Sequence, residues 1–183
     1  VFVGSDDGFL YCLQTDSGKL LWKFRGVPST RKVLGNGRMI SLWPVRGGPV
    51  AKEGKVWFAA GVWPMEGVFV HCLDAQTGKS IWINDSCGFK YGTQPHNAKA
   101  TGGLAPQGYL LLDGDDLIVP SSVAFPARFD AATGKLKEFE LPSQGRLPGG
   151  WFASTPSEKE RQRLQRRGLL FDSEVNTRRH EDK

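Results

Sequence analysis

The sequence predicts an all-β protein, a partial β-propeller of about three four-stranded antiparallel blades, with a short helical, charged C-terminal segment. Three observations carry that prediction. A ten-residue stretch recurs at residues 13–22 (Leu-Gln-Thr-Asp-Ser-Gly-Lys-Leu-Leu-Trp), 73–82 (Leu-Asp-Ala-Gln-Thr-Gly-Lys-Ser-Ile-Trp) and 129–138 (Phe-Asp-Ala-Ala-Thr-Gly-Lys-Leu-Lys-Glu). Its glycines, Gly18, Gly78 and Gly134, stand 60 and 56 residues apart, a period that marks a repeat architecture. Around each copy lie short apolar runs separated by turn residues, in a chain of 183 residues with 23 Gly and 11 Pro.

Each copy follows hairpin grammar: an apolar run, a polar turn closing on Gly-Lys, and a second apolar run. Asp74 and Asp130 are placed to hydrogen-bond their own turn backbone. Trp22 and Trp82 stand at one position of the second strand, where a repeated large side chain predicts a wedge between neighbouring units. Glu138 takes that position in the third copy, with Phe139 one residue late to fill the wedge.

The first unit starts mid-way, with Val1-Phe2-Val3-Gly4, a turn at Ser5-Asp6-Asp7-Gly8, and the strand 9–13. The second has a short strand at 47–51, a turn at Lys52-Glu53-Gly54 and a strand at 55–61. The third repeats that order with strands at 108–112 and 117–120 around a turn at 113–116. Gly47-Gly48 and Gly102-Gly103 precede the inner strands of units two and three. Gly149-Gly150 and the apolar residues to 153 read as the opening of a fourth. About three blades do not close a ring, so the chain reads as a segment of a longer protein.

With strands numbered from the inside outward, two classes of connection emerge on one face: second-to-third, and outer-to-next-inner. The long segments fall in these classes: residues 24–46 and 84–101 as crossings, 63–67 and 121–125 as interruptions. The other face has tight turns. One decorated face on a rigid scaffold is the usual place for a binding site. Candidate ligand residues there are Arg31, Arg38, Trp43 and Arg46, guanidinium groups beside an indole, suited to an anionic or aromatic ligand. The alternative is that Trp43-Pro44 anchors the crossing and the arginines pair with carboxylates. Trp63 and Glu66 form either a binding lip or a packed lid. His96 and Asn97 follow Pro95 in a loop. Arg128 replaces the Cys of the other copies and requires a polar partner if buried. His71, in a strand, reads as packing.

A net charge of +5, spread over loops and tail, shows no basic cluster in the core, so no nucleic-acid partner is expected. No run of about 18 apolar residues exists, so no membrane span is expected. Cys12 and Cys72 occupy equivalent positions on adjacent units, too far apart for a disulfide. With Cys87 they form no Cys-x-x-Cys, so no zinc or redox pair is signalled. No metal ligand and no catalytic residue is assigned.

Residues 155–183 change character. Thr155 as cap, Pro156 at the first helical position and Glu158 read as a helix start. The charged stretch to 167 has Leu164 as its one apolar residue, and Gly168 stops it. Leu169-Leu170-Phe171 could dock back on the blades, and from 172 to 183 the residues read either as disordered or as part of another element of a longer chain. Arg161, Arg163, Arg166 and Arg167 read as a solvated face or as phosphate contacts.

The run Val-Phe-Val-Gly-Ser-Asp-Asp-Gly-Phe-Leu-Tyr-Cys-Leu, with Thr77-Gly78-Lys79-x-x-Trp82, resembles the repeat of quinoprotein-type propellers, the pyrroloquinoline quinone (PQQ) repeat. Similar repeats build the propeller of the outer-membrane-assembly lipoprotein. Residues 38–82, with Ser41-Leu42-Trp43-Pro44-Val45-Arg46, resemble the large PQQ-like propeller proteins of environmental bacteria. The resemblance spans roughly residues 1–152. It implies a periplasmic or other extracytoplasmic location. Two functions are compatible with it. The favoured one is a non-catalytic segment presenting its loop face to a protein, glycan or small ligand, with no cofactor. The other is part of a PQQ-dependent alcohol dehydrogenase, with Ca²⁺ bound beside the quinone.

Overall fold

A computed structural model describes residues 1–35, 37–93, 98–121 and 126–139. Three antiparallel sheets follow one another along the chain. The first has three strands, β1 (Phe2–Gly4), β2 (Phe9–Leu13) and β3 (Leu20–Arg25). The second has four: β6 (Val50–Lys52), β7 (Lys55–Ala60), β8 (Phe69–Asp74) and β9 (Ser80–Asn84). The third has β12 (Leu111–Asp113), β13 (Asp116–Val119), β14 (Ala127–Asp130) and β15 (Leu136–Glu138). These are the predicted vanes, the first lacking its innermost strand among the described residues. In the third, β12 and β13 close on Gly114-Asp115, a tighter turn than the sequence indicated. Among the described residues no helix is long and apolar enough to cross a membrane.

The predicted crossings are not plain loops. Residues 24–46 carry a hairpin, β4 (Lys32–Gly35) with β5 (Arg38–Ser41). Residues 84–101 carry another, β10 (Lys90–Thr93) with β11 (Lys99–Gly102). Each lies between successive blades as a two-stranded sheet of its own.

The three repeats share a strand-pairing detail. Each third-to-fourth strand pair shifts register at one place, after Cys12, Cys72 and Arg128. The residues opposite are Trp22, Trp82 and Glu138. Such a bulge turns the following strand and increases its twist. In the turns, Asp74 Oδ1 accepts bonds from Gln76 N, Thr77 N and Thr77 Oγ1, at 3.2, 2.7 and 2.7 Å. Asp130 does the same for Ala132 and Thr133.

The tryptophans join one blade to the next. The Trp22 indole N–H donates to Ala75 O at 3.2 Å, and Trp82 donates to Ala131 O at 3.1 Å. Each ring lies on the glycine of the next turn: a Cβ on Gly78 would sit 2.7 Å from Trp22 Cδ2, and one on Gly134 2.7 Å from Trp82 Cδ2. Those glycines also hold φ of 70° and 73°, so the residue type is set both by conformation and by the ring above it. Phe139 is half-buried against the cluster shared by the second and third blades.

Two apolar seams result. Leu10, Val27, Leu42, Trp43 and Val45 meet Val56, Phe58, Ala60 and Leu73 between the first and second blades. Trp57, Ala59, Val70 and Cys72 meet Leu117, Val119, Ala127 and Phe129 between the second and third. The strands alternate so that one blade feeds both seams: Val56 and Phe58 face backward, Trp57 and Ala59 forward. Cys12, Cys72 and Cys87 are free and buried, as small apolar groups. The expected fourth-blade opening and the segment 155–183 lie outside the described residues.

Candidate functional site

The long-connection face is built on three chain segments. The β1–β2 turn contributes Asp6. The first crossing contributes Arg31, Arg38, Trp43 and Arg46. The β7–β8 connection contributes Trp63 and a single 3-10 turn, Pro64–Glu66.

Arg38 Nη2 lies 2.6 Å from Asp6 Oδ2, and Arg46 Nε 3.0 Å from Asp6 Oδ1. The turn itself is tied to the crossing through Ser41 N donating to Asp6 O at 2.7 Å and Val45 N donating to Ser5 O at 2.9 Å. Burial pushes the Asp6 carboxyl up, but the hydrogen bonds and charges of Arg38 and Arg46 outweigh it, and the group ends below its usual range. Arg38 is exposed and Arg46 half-buried, so two cations flank one carboxylate. Arg31 is exposed, and its backbone carbonyl accepts from Leu42 N at 2.9 Å.

Trp43 is buried, and its indole N–H donates to Glu66 O at 2.5 Å while its ring meets Phe69 edge-on. It anchors the crossing to the 3-10 turn and leaves the Glu66 side chain exposed. Trp63 is 39 % exposed beside that turn. His96 and Asn97 lie outside the described residues.

Arg128 is placed elsewhere. It is buried mid-strand, and its Nη2 lies 2.5 Å from Asp116 Oδ2 and 3.7 Å from Asp113 Oδ2. Lys137 continues the group, 2.7 Å from Asp116 and 3.1 Å from Asp130. Burial raises the Asp116 carboxyl, and the bonds from Lys137 and Arg128 more than reverse that. Asp113 and Asp116 flank the tight β12–β13 turn, so Arg128 reaches toward the tight-turn face, away from the long connections with which the sequence grouped it.

Sequence reasoning missed a cleft. A depression of about 490 Å³ opens between the 3-10 turn and the start of the second crossing, lined by Pro64, Met65, Glu66, Asp85, Ser86 and Phe89. Met65 is 74 % and Phe89 65 % exposed, high for large apolar side chains. Glu66 and Asp85 supply two carboxylates with no ion-pair partner among the described residues. Gly88 and Gly103 let the backbones meet beneath it: a Cβ on Gly88 would lie 2.9 Å from Val68 N, and one on Gly103 2.8 Å from Pro64 Cβ. Trp63-Pro64-Met65-Glu66-Gly67 was visible as an interruption, but nothing in the residues placed Phe89 against it.

A larger cleft of about 610 Å³ lies on the tight-turn face, between Lys52, Glu53, Lys55, Asp115 and Asp130. Of its charges, Lys52 lies 3.5 Å from Glu53, and Asp130 lies 3.1 Å from Lys137 outside the lining.

Solved structures share this arrangement. BamB from Moraxella catarrhalis superimposes with a TM-score of 0.51 at 18 % identity, over 76 % of this chain and 32 % of that one. The quinohemoprotein alcohol dehydrogenase of Comamonas testosteroni gives 0.53 at 17 % identity, over 79 % and 26 %. The enzyme ADHIIG of the same kind from Pseudomonas putida HK5 gives 0.52 at 18 %, over 79 % and 25 %. The fold is that of a PQQ-like β-propeller. The chain spans between a quarter and a third of the length of these structures. No protein-family model and no curated protein matches the sequence.

Proposed function

We propose that this chain is a non-catalytic PQQ-like propeller segment that acts as a binding or scaffold module through its long-connection face. The partner is a protein, a glycan or a small ligand. The observation that carries this reading is the cleft at Met65 and Phe89: an open apolar floor, two unmatched carboxylates, and a rigid seam beneath. Contiguous exposed apolar surface marks interaction sites, and here Met65 and Phe89 line one cleft. By resemblance, the location is periplasmic or otherwise extracytoplasmic.

The test is to offer the chain to a peptide library and a glycan array, then map each hit by hydroxyl-radical footprinting. Hits that shield Met65 and Phe89 support the reading. Hits that shield only Lys52 and Lys55 on the opposite face reject it.

A second reading, part of a PQQ-dependent alcohol dehydrogenase, is favoured by the fold shared with the two quinohemoprotein enzymes. Among the described residues, no three His, Cys, Asp or Glu groups converge in a way that could hold a metal ion. No catalytic residue is therefore assigned. A closed-ring version of the gene, supplied with PQQ and Ca²⁺, decides between the readings: bound-quinone absorbance with dye-linked alcohol oxidation would select the dehydrogenase.

A further inference from the structure

The cleft at Met65 and Phe89 has a candidate occupant in the chain itself. We propose that the basic stretch at residues 159–167, with Leu169-Leu170-Phe171 behind it, docks into the cleft between the 3-10 turn and the second crossing. The inference rests on reading this face as a binding surface, and it names what sits there.

Charge complementarity is the first reason. The cleft lining contains Glu66 and Asp85 and no Lys or Arg. The stretch Lys-Glu-Arg-Gln-Arg-Leu-Gln-Arg-Arg carries five cations against one carboxylate. The other polar group on this face is already satisfied: Asp6 is paired with Arg38 and Arg46, and the adjacent Asp7 accepts from the Tyr11 hydroxyl. Glu66 and Asp85 thus offer two carboxylates in one cleft, without an ion pair among the described residues.

Apolar complementarity is the second. Met65 and Phe89 form an exposed floor that lacks a cover among the described residues. Leu164, Leu169, Leu170 and Phe171 are the apolar side chains of a stretch otherwise rich in charge. Thioether and aromatic surfaces adapt well to such side chains.

Tether geometry is the third. The third blade ends at Phe139, whose carbonyl accepts a bond from Lys90 Nζ at 3.2 Å. Lys90 directly follows Phe89, so the chain leaves the blades beside the cleft. The roughly twenty residues from there to position 159 span up to about 65 Å when extended, which removes any problem of reach. A tether of that length holds the stretch at roughly millimolar effective concentration, so weak contacts suffice. The consequence for function is competition: an external partner of the cleft must displace the chain's own basic stretch.

The test uses the full chain with a benzophenone side chain at position 164. On irradiation, intramolecular cross-links to residues 64–67 and 85–89 are expected. Glu66→Lys with Asp85→Lys should cut their yield about tenfold, since two attractive contacts become repulsive. Adding Arg163→Glu and Arg166→Glu to that variant should restore it, which a folding defect would not allow. Cross-links on the tight-turn face, cross-links only between chains, or a yield indifferent to the charge swap would each overturn the docking. Those outcomes bear on the occupant alone, because footprinting by external ligands tests the face independently.

Discussion

A φ of +70° at Gly78 and one of +66° at Gly18 look like the same requirement, yet the two positions differ in what lies above them. Nothing approaches Gly18 within 4 Å, whereas the Trp22 ring lies on Gly78. Alanine at Gly18 should therefore cost about 1 kcal/mol, the penalty of the left-handed backbone alone. At Gly78 the same change also displaces a packed indole, and a loss of about 3 kcal/mol is expected. Urea melts of the two variants check this, and equal losses would show that the ring contact contributes nothing. His71 supplies a second residue-scale prediction. It is 2 % exposed, stacked on Phe58 at 4.6 Å, edge-on to Phe24, and donates from Nε2 to Gly26 O at 2.9 Å. Its Nδ1 has no partner, so a second proton there would be a buried donor with nothing to bond. Burial lowers its pKa to about 4, against the opposing pull of the Gly26 carbonyl and the Asp85 charge. The unfolded imidazole takes up its proton near 6.5, the folded one near 4, so stability is intact above pH 6.5 and falls as pH drops toward 4. The full loss is about 3 kcal/mol. His71→Gln should flatten that part of the profile, measured by melts at stepped pH.

At the scale of elements, the seam depends on which side chain the outer strand sends across it. Trp82 covers Gly134 and donates to Ala131 O, and Trp57 donates to the same carbonyl at 3.0 Å. Trp82→Ala should cost about 3–5 kcal/mol, as truncations of packed aromatics do. A loss below about 1 kcal/mol in denaturant melts would show that Trp57 alone holds the seam. The wedge was legible because Trp22 and Trp82 recur at one position beside a recurring glycine. Its partner was not, since no local pattern says that the indole of one unit rests on the turn of the next. The third blade replaces Cys and Trp by Arg128 and Glu138 together, and the sequence flagged each departure without joining them. Only the register, which sets Arg128 opposite Glu138, shows one cross-strand pair exchanged for another. The β4–β5 hairpin went unread although Asn36-Gly37 is a strong hairpin signal. Polarity does not follow burial along it: the apolar Leu34 and Met39 are exposed while Ser41 is buried, so the residues do not show the apolar-in, polar-out alternation of a core strand. For β10–β11 the residues give still less: Lys90 and Tyr91 are both exposed, so no buried face betrays the strand there.

Across the whole molecule, the blades form a chain of neighbours, and the second one contributes to both seams with opposite faces of the same strands. The fold was legible because a repeat announces itself three times over. The cleft was not, because Met65 and Phe89 are distant in sequence and meet only through backbone approaches at Gly88 and Gly103. A linear stack also dictates how damage adds. Trp22 belongs to the first seam, on Gly78 and Ala75; Trp82 belongs to the second, on Gly134 and Ala131. The two share no partner, so in a cooperative unit the losses from Trp22→Ala and Trp82→Ala should sum to within about 0.5 kcal/mol. The slope of stability against urea should stay at its wild-type value, since the same surface is exposed on unfolding. If the seams open separately instead, the double variant will melt in two steps with a shallower slope in each. That outcome would mean the three blades are held to one another less firmly than each sheet is held within itself.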